Sequence, residues 1–248
     1  MKVLSIGNEQ TSSAHLYLNR LVKEARKELL LSNLCYEGAS VEDHYRNYID
    51  EEEVYFYETY LPFETEMMRP DGIALHEAVE EEDWDFITLQ QNGELSGDEE
   101  SYKPYLGELS AYCRMMHPGA KIMLVQPWAF EKNCALPCFR EFYGKDSENM
   151  FEMIKHTCSV TSANEEIDGI IPIGHAFRLL GATSLENLLT KDGVQASELG
   201  AFAAGCVLYE AFFGESCLDS PFKLKDVPDE INELIKICAH TAAEEYNK

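Results

Sequence analysis

The opening dozen residues constrain this chain more than any other stretch. Lys2-Val-Leu-Ser-Ile6 is a short aliphatic run, and Gly7-Asn8-Glu9-Gln10-Thr11-Ser12 interrupts it before a long helical pattern begins. A buried strand, a glycine turn and a helix start in that order are the opening unit of many α/β enzymes. The turn places Glu9 at the carboxyl edge of the future sheet, beside a helix N-terminus. Open α/β sheets tend to bind ligands at that edge.

From 13 to 31 the apolar residues Leu16, Leu18, Leu21, Val22, Ala25 and Leu29 follow a period near 3.6, which predicts the first crossover helix. A second strand is expected over 33–36, then a short helix or turn over 41–47. Alternating aromatic and charged residues over 53–60 suggest a small added hairpin. Helices are predicted over 72–82, 101–116, 150–163, 197–213 and 228–246, and strands over 84–91, 121–126 and 168–173. The segment 131–145 reads as an irregular insertion. Five short apolar strands with helices between most of them predict one domain spanning 1–248. Its expected architecture is a parallel sheet covered on both faces, with insertions near 50–70 and 131–147.

The charge is 20 basic against 45 acidic residues, a net of −25. Such a surface repels phosphate backbones and anionic lipid, so nucleic-acid and membrane partners are not expected. Runs such as Glu80-Glu81-Glu82-Asp83 read as solvated faces. No stretch reaches the roughly 20 apolar residues needed to cross a bilayer, and the chain reads as cytoplasmic. The 8 cysteines are scattered through apolar patterns, which fits reduced, buried thiols. Cys134 and Cys138 are a close pair, but their spacing matches neither a zinc ribbon nor a C-x-x-C redox motif.

Several segments, taken in order, carry a family resemblance. They are Val3-Leu4-Ser5-Ile6-Gly7-Asn8, Gly38-Ala39-Ser40-Val41-Glu42-Asp43-His44, and Asp83-Trp84-Asp85-Phe86-Ile87-Thr88-Leu89-Gln90-Gln91. Pro127-Trp128-Ala129-Phe130, Ile171-Pro172-Ile173-Gly174 and Leu189-Thr190-Lys191-Asp192-Gly193 follow. Together they resemble the SGNH, or GDSL-like, hydrolases, and within them a branch of unknown function that opens with K-V-L-x-I-G-N-S. The resemblance implies a flavodoxin-like three-layer α/β/α sandwich with a five-stranded parallel sheet, and no cofactor. It also implies hydrolysis of esters, often carbohydrate O-acetyl groups, by a Ser-His-Asp triad. Oxyanion donors would come from the nucleophile's own backbone, a Gly after the second strand, and an Asn or Gln after the third.

The chain departs from that pattern at the reacting groups. Glu9 stands at the nucleophile position and Gln195 at the histidine position, so only Asp192 of the triad remains. A carboxylate attacks an acyl group only to give a labile anhydride, and a carboxamide accepts no proton near neutral pH. Serine-type ester hydrolysis is therefore disfavoured, since losing nucleophile or base costs several powers of ten. Thr11, Ser12 and Ser13 are substitutes in sequence only, with His15 the nearest imidazole. Gly38, Gln91 and Asn92 match the remaining donor positions. His44 is either a structural residue or pocket wall, or else binds ligand, and His175 either reaches the same sheet edge or starts a helix. Trp128 is either a stacking wall or core.

Three readings stay open. Glu9 can be a polar plug, stabilised by the helix start and bonded to Gln195. The cleft can hold a small molecule, such as an acylated carbohydrate, without turnover. Or Glu9 and Asp192 can act as a carboxylate pair on a glycoside or ester, with or without a metal.

Overall fold

The computed structural model describes residues 1–165 and 167–246. The chain opens with β1 (Lys2–Gly7), α1 (Glu9–Glu24), β2 (Leu30–Cys35), α2 (Val41–Ile49), β3 (Tyr55–Tyr60), β4 (Asp71–Ile73), α3 (Leu75–Glu80) and β5 (Phe86–Gln90). There follow α4 (Tyr105–Met116), β6 (Lys121–Val125), α5 (Pro137–Glu141), α6 (Ser147–Asn164), β7 (Gly169–Ile171), α7 (Ile173–Gly181), α8 (Glu198–Phe213) and α9 (Asp229–Tyr246).

Among the described residues one seven-stranded sheet has the order β4-β3-β2-β1-β5-β6-β7. The strands β2, β1, β5, β6 and β7 run parallel, as the five apolar runs predict. The expected hairpin instead extends the same sheet: β3 pairs antiparallel with β2, and β4 with β3. The five-stranded expectation is thereby corrected to seven. Its cause is a second strand where a helix was expected from residue 72. Gly72, with φ +74°, takes the left-handed region that glycine favours and lets the chain join the sheet before α3 begins.

Two apolar layers cover the sheet. One packs α1, α7, α8 and α9 over side chains such as Val3, Leu31 and Ile171. The other packs α3, α4 and α6 over Leu4, Ile6, Leu34, Ile87, Ile122 and Leu124. The alternation of Val3 and Leu4 between layers is the period-two consequence of a strand buried on both faces. The sandwich is thus a three-layer α/β/α fold.

Helices α1 and α8 approach closely at Gly205. A Cβ there would lie 2.7 Å from Tyr17 Cβ and 2.8 Å from the Leu18 backbone nitrogen, atoms fixed by their own helix. Gly205→Ala should therefore destabilise by about 1–3 kcal/mol through overpacking. That corresponds to a loss of roughly 2–10 °C in Tm, measurable by calorimetry.

Candidate functional site

The site begins where β1 becomes α1 without a connecting loop. Asn8 caps the helix, its side chain accepting the Gln10 N–H at 3.0 Å. A Cβ on Gly7 would lie 2.3 Å from Thr11 Oγ1, so glycine permits the close turn. Glu9 is consequently the first residue of α1, where the N-terminal end of the helix dipole favours a carboxylate. Its Oε2 accepts the backbone N–H of Gly38 at 2.9 Å. Gly38, with φ +70°, lies in the turn after β2. The Asn92 carboxamide donates to the Gly38 carbonyl at 3.1 Å and accepts the Leu95 N–H at 3.0 Å. The Gly38 peptide is thus held on both its polar groups.

Glu9, Gln10, Ser13, Glu37, Gln195 and Ala196 line a cleft of about 340 Å³. Gln195 reaches it from the loop after Thr190. Asp192 accepts the Val194 and Gln195 N–H groups at 3.0 and 2.8 Å. The Glu131 carboxylate accepts the Leu189 and Thr190 N–H groups and the Thr190 hydroxyl. Trp128 donates to the Val194 carbonyl at 2.8 Å and stacks on Phe177 with centroids 4.6 Å apart. Trp128 therefore acts as an anchor in the core.

The structure brings Glu9 and Gln195 to one cleft, but they are not hydrogen-bonded to each other. Glu9 is paired with Gly38, which replaces the expected plug contact. Asp192 is absent from the lining, and its Oδ1 is engaged by the turn. Gln91 is 0% exposed and turned inward. Its oxygen accepts the Val41 and Asn92 N–H groups, and its nitrogen donates to Ser101. His44 stacks on Tyr55, with Nδ1 3.0 Å from the phenol oxygen. His175 sits in α7 with Nε2 2.6 Å from Glu245, against Phe151 and Tyr246. Neither histidine lines the cleft.

Nor do the neighbouring hydroxyls replace the nucleophile. Ser12 donates to the buried Glu58 at 2.5 Å, and Glu58 also accepts from Asn33 and pairs with Arg69. Ser13 donates to the Glu9 carbonyl. A Ser–His contact does exist, with Ser5 Oγ 3.0 Å from His15 Nε2, but both side chains are buried beneath α1. Burial pushes the His15 imidazole down to about 3, leaving it a poor base shielded from solvent.

One cleft residue escaped the sequence reading. Gln10 is 4% exposed yet lines the cleft. Thr11 donates to Gln90 at 2.9 Å, and Gln90 donates to the Gln10 oxygen at 3.0 Å. That relay leaves the Gln10 amide nitrogen without an acceptor among the described residues and fixes it as a donor. Its partner lies 80 residues away, so local sequence gives no signal of it.

A family model described as "Domain of unknown function (DUF4886)" matches residues 2–242. The chain belongs to the DUF4886 family. A DUF4886 protein from Bacteroides uniformis superposes with a TM-score of 0.95 at 25% identity, covering 100% of this chain and 96% of that one. A protein from Slackia heliotrinireducens, provisionally described as an SGNH hydrolase, gives 0.61 at 21% identity, covering 86% and 98%. A lipase/acylhydrolase from Enterococcus faecalis gives 0.55 at 12% identity, covering 86% and 95%. The last two likenesses are of fold. No curated protein matches this chain. The DUF4886 chain thus has the SGNH-hydrolase fold, as its motif order implies. None of its described helices is long and apolar enough to cross a membrane.

Among the described residues, no three His, Cys, Asp or Glu side chains gather as metal ligands. The buried histidines of this DUF4886 chain instead set its acid stability. Burial holds His15 down to about 3 and His44 to about 4, against an ordinary value of 6.5. Below pH 6.5 the unfolded chain binds protons that the folded chain refuses, so stability is lost as pH falls from 6.5 toward 4. At pH 5 the loss is about 2 kcal/mol per histidine. Urea unfolding from pH 7 to pH 5 should show this slope, and His15→Gln and His44→Gln should each flatten it.

Proposed function

We propose that this protein binds a small polar molecule in the Glu9–Gln195 cleft and does not hydrolyse esters by a serine mechanism. The observation that carries this reading is the Glu9 carboxylate lying on the Gly38 N–H at 2.9 Å. In the fold's esterases that backbone donor would face the oxyanion. Here a resident negative charge takes it, and an acyl oxyanion placed there would meet repulsion instead of stabilisation. Opposite stands Gln195, a carboxamide that cannot relay a proton.

The cleft volume falls within the range of small-ligand sites. Glu9 offers an acceptor, while Gln10 and Gln195 offer amide groups. A sugar hydroxyl satisfies both kinds of partner, and an acylated carbohydrate fits the chemistry. An acetyl-xylooligosaccharide esterase from Geobacillus is among the proteins sharing the fold. Glu37 and Glu9 together disfavour an anionic ligand. The carboxylate-pair reading gains less support, because Asp192 does not line the cleft and spends its Oδ1 on the Val194 and Gln195 N–H groups.

The parent protein should turn over p-nitrophenyl acetate no faster than buffer, while acetylated sugars raise its melting temperature without product. At a hundredfold excess over Kd the stabilisation is about 2.7 kcal/mol. Glu9→Ser with Gln195→His should release the Gly38 donor, restore nucleophile and base, and yield measurable esterase activity. Strong turnover by the parent, or turnover surviving Glu9→Ala, would reject the binding reading.

A further inference from the structure

A second cavity of the molecule lies outside this cleft. It has a volume of about 640 Å³ and sits between the 129–148 insertion, α7 and the 182–189 loop. Glu131 lines this cavity, and its contacts to Leu189 and Thr190, with its N–H donating to the Gly193 carbonyl at 2.9 Å, hold the loop that carries Gln195 to the other. No residue lines both.

The lining has two chemical characters. Phe130, Phe151, Phe177 and Leu189 form its deep apolar wall, none of them more than 5% exposed. Glycine at 181 leaves part of the wall bare, since a Cβ there would meet nothing within 4 Å. Charged residues supply the second character, the acids Glu131, Asp146, Glu148 and Glu186 facing the bases Lys132, Lys145 and Arg178. Arg178 is held by Glu148 through two nitrogens at 2.9 and 2.7 Å, and Lys132 is paired with Glu186. Lys145 also lines the cavity, and its ammonium has no hydrogen-bond or carboxylate partner among the described residues. Its backbone is left-handed, with φ +57° directly after Gly144 at φ +69°, an arrangement unusual for a non-glycine residue. Glu131 and Asp146 spend their carboxylates on backbone N–H groups and Glu148 and Glu186 are paired, so Lys145 is the lining cation left to a ligand.

We propose that this cavity is a second ligand site, which takes an organic carboxylate with an apolar body, the anion meeting Lys145 and the body lying against the phenylalanines. Its volume suits a drug-sized molecule. A charge-assisted contact of this kind would supply orientation while the apolar area supplies most of the affinity. The site is independent of the binding reading for the Glu9 cleft.

The test uses 8-anilinonaphthalene-1-sulfonate, an aromatic anion whose fluorescence rises in apolar surroundings. Titration of the full chain should give a saturable single-site signal. Lys145→Glu should weaken binding at least about tenfold, a change of 1.4 kcal/mol. Gly181→Trp should abolish it by filling the hollow, with circular dichroism and melting temperature showing that the variant folds. Glu9→Ala should leave it unchanged. Binding that ignores both Lys145→Glu and the folded Gly181→Trp, or that is lost in Glu9→Ala, would overturn the proposal. Should Gly181→Trp not fold, Ala182→Trp from the same wall replaces it under the same criterion.

Discussion

The abrupt passage from β1 into α1 is the constraint on which the site depends. Because Gly7 allows the helix to start at once, with Asn8 as its cap, residue 9 is presented at the sheet edge in the strongest part of the helix field. Any side chain there must come to terms with the nearby Gly38 N–H. A hydroxyl would leave that donor free for a developing charge. A glutamate is long enough to reach it, and its Oε2 occupies the donor in the resting state. One change of residue type converts a site suited to a transient anion into one that already holds an anion.

The surrounding shell keeps this arrangement in place. Asn92 grips the Gly38 carbonyl, Trp128 and Glu131 grip the loop carrying Gln195, and Gln90 orients Gln10. These groups are pre-set by bonds to backbone or by buried relays, so little side-chain entropy remains to be lost when a ligand arrives. On the binding reading proposed above, the chain keeps a pre-set polar cleft without the reacting groups expected of its fold.

Much of this was legible in the sequence, for identifiable reasons. The parallel strands appeared because strands buried on both faces are continuous apolar runs, and Ser197 announced α8 as its cap. The first helix begins at Glu9 and not at 13, because the polar run Glu9–Ser13 masks the period. Helix α7 was hidden because Ile173-Gly174-His175 continues an apolar strand and then looks like a turn. A Cβ on Gly174 would lie 2.2 Å from the Pro127 carbonyl, so that glycine serves close packing instead. Glu9 and Gln195 were recognisable through motif order. The facing of Gln91, His44 and His175 was not, because each is set by partners distant in sequence: Ser101 and Val41, Tyr55, and Glu245 respectively.

The anchorage built around Glu131 has a consequence of its own. A single carboxylate bridges to three groups on the 189–190 segment, and the same residue's amide closes the seam at Gly193. The loop moored in this way carries Gln195 into the cleft. One acidic side chain, distant in sequence, thus fixes where that carboxamide stands.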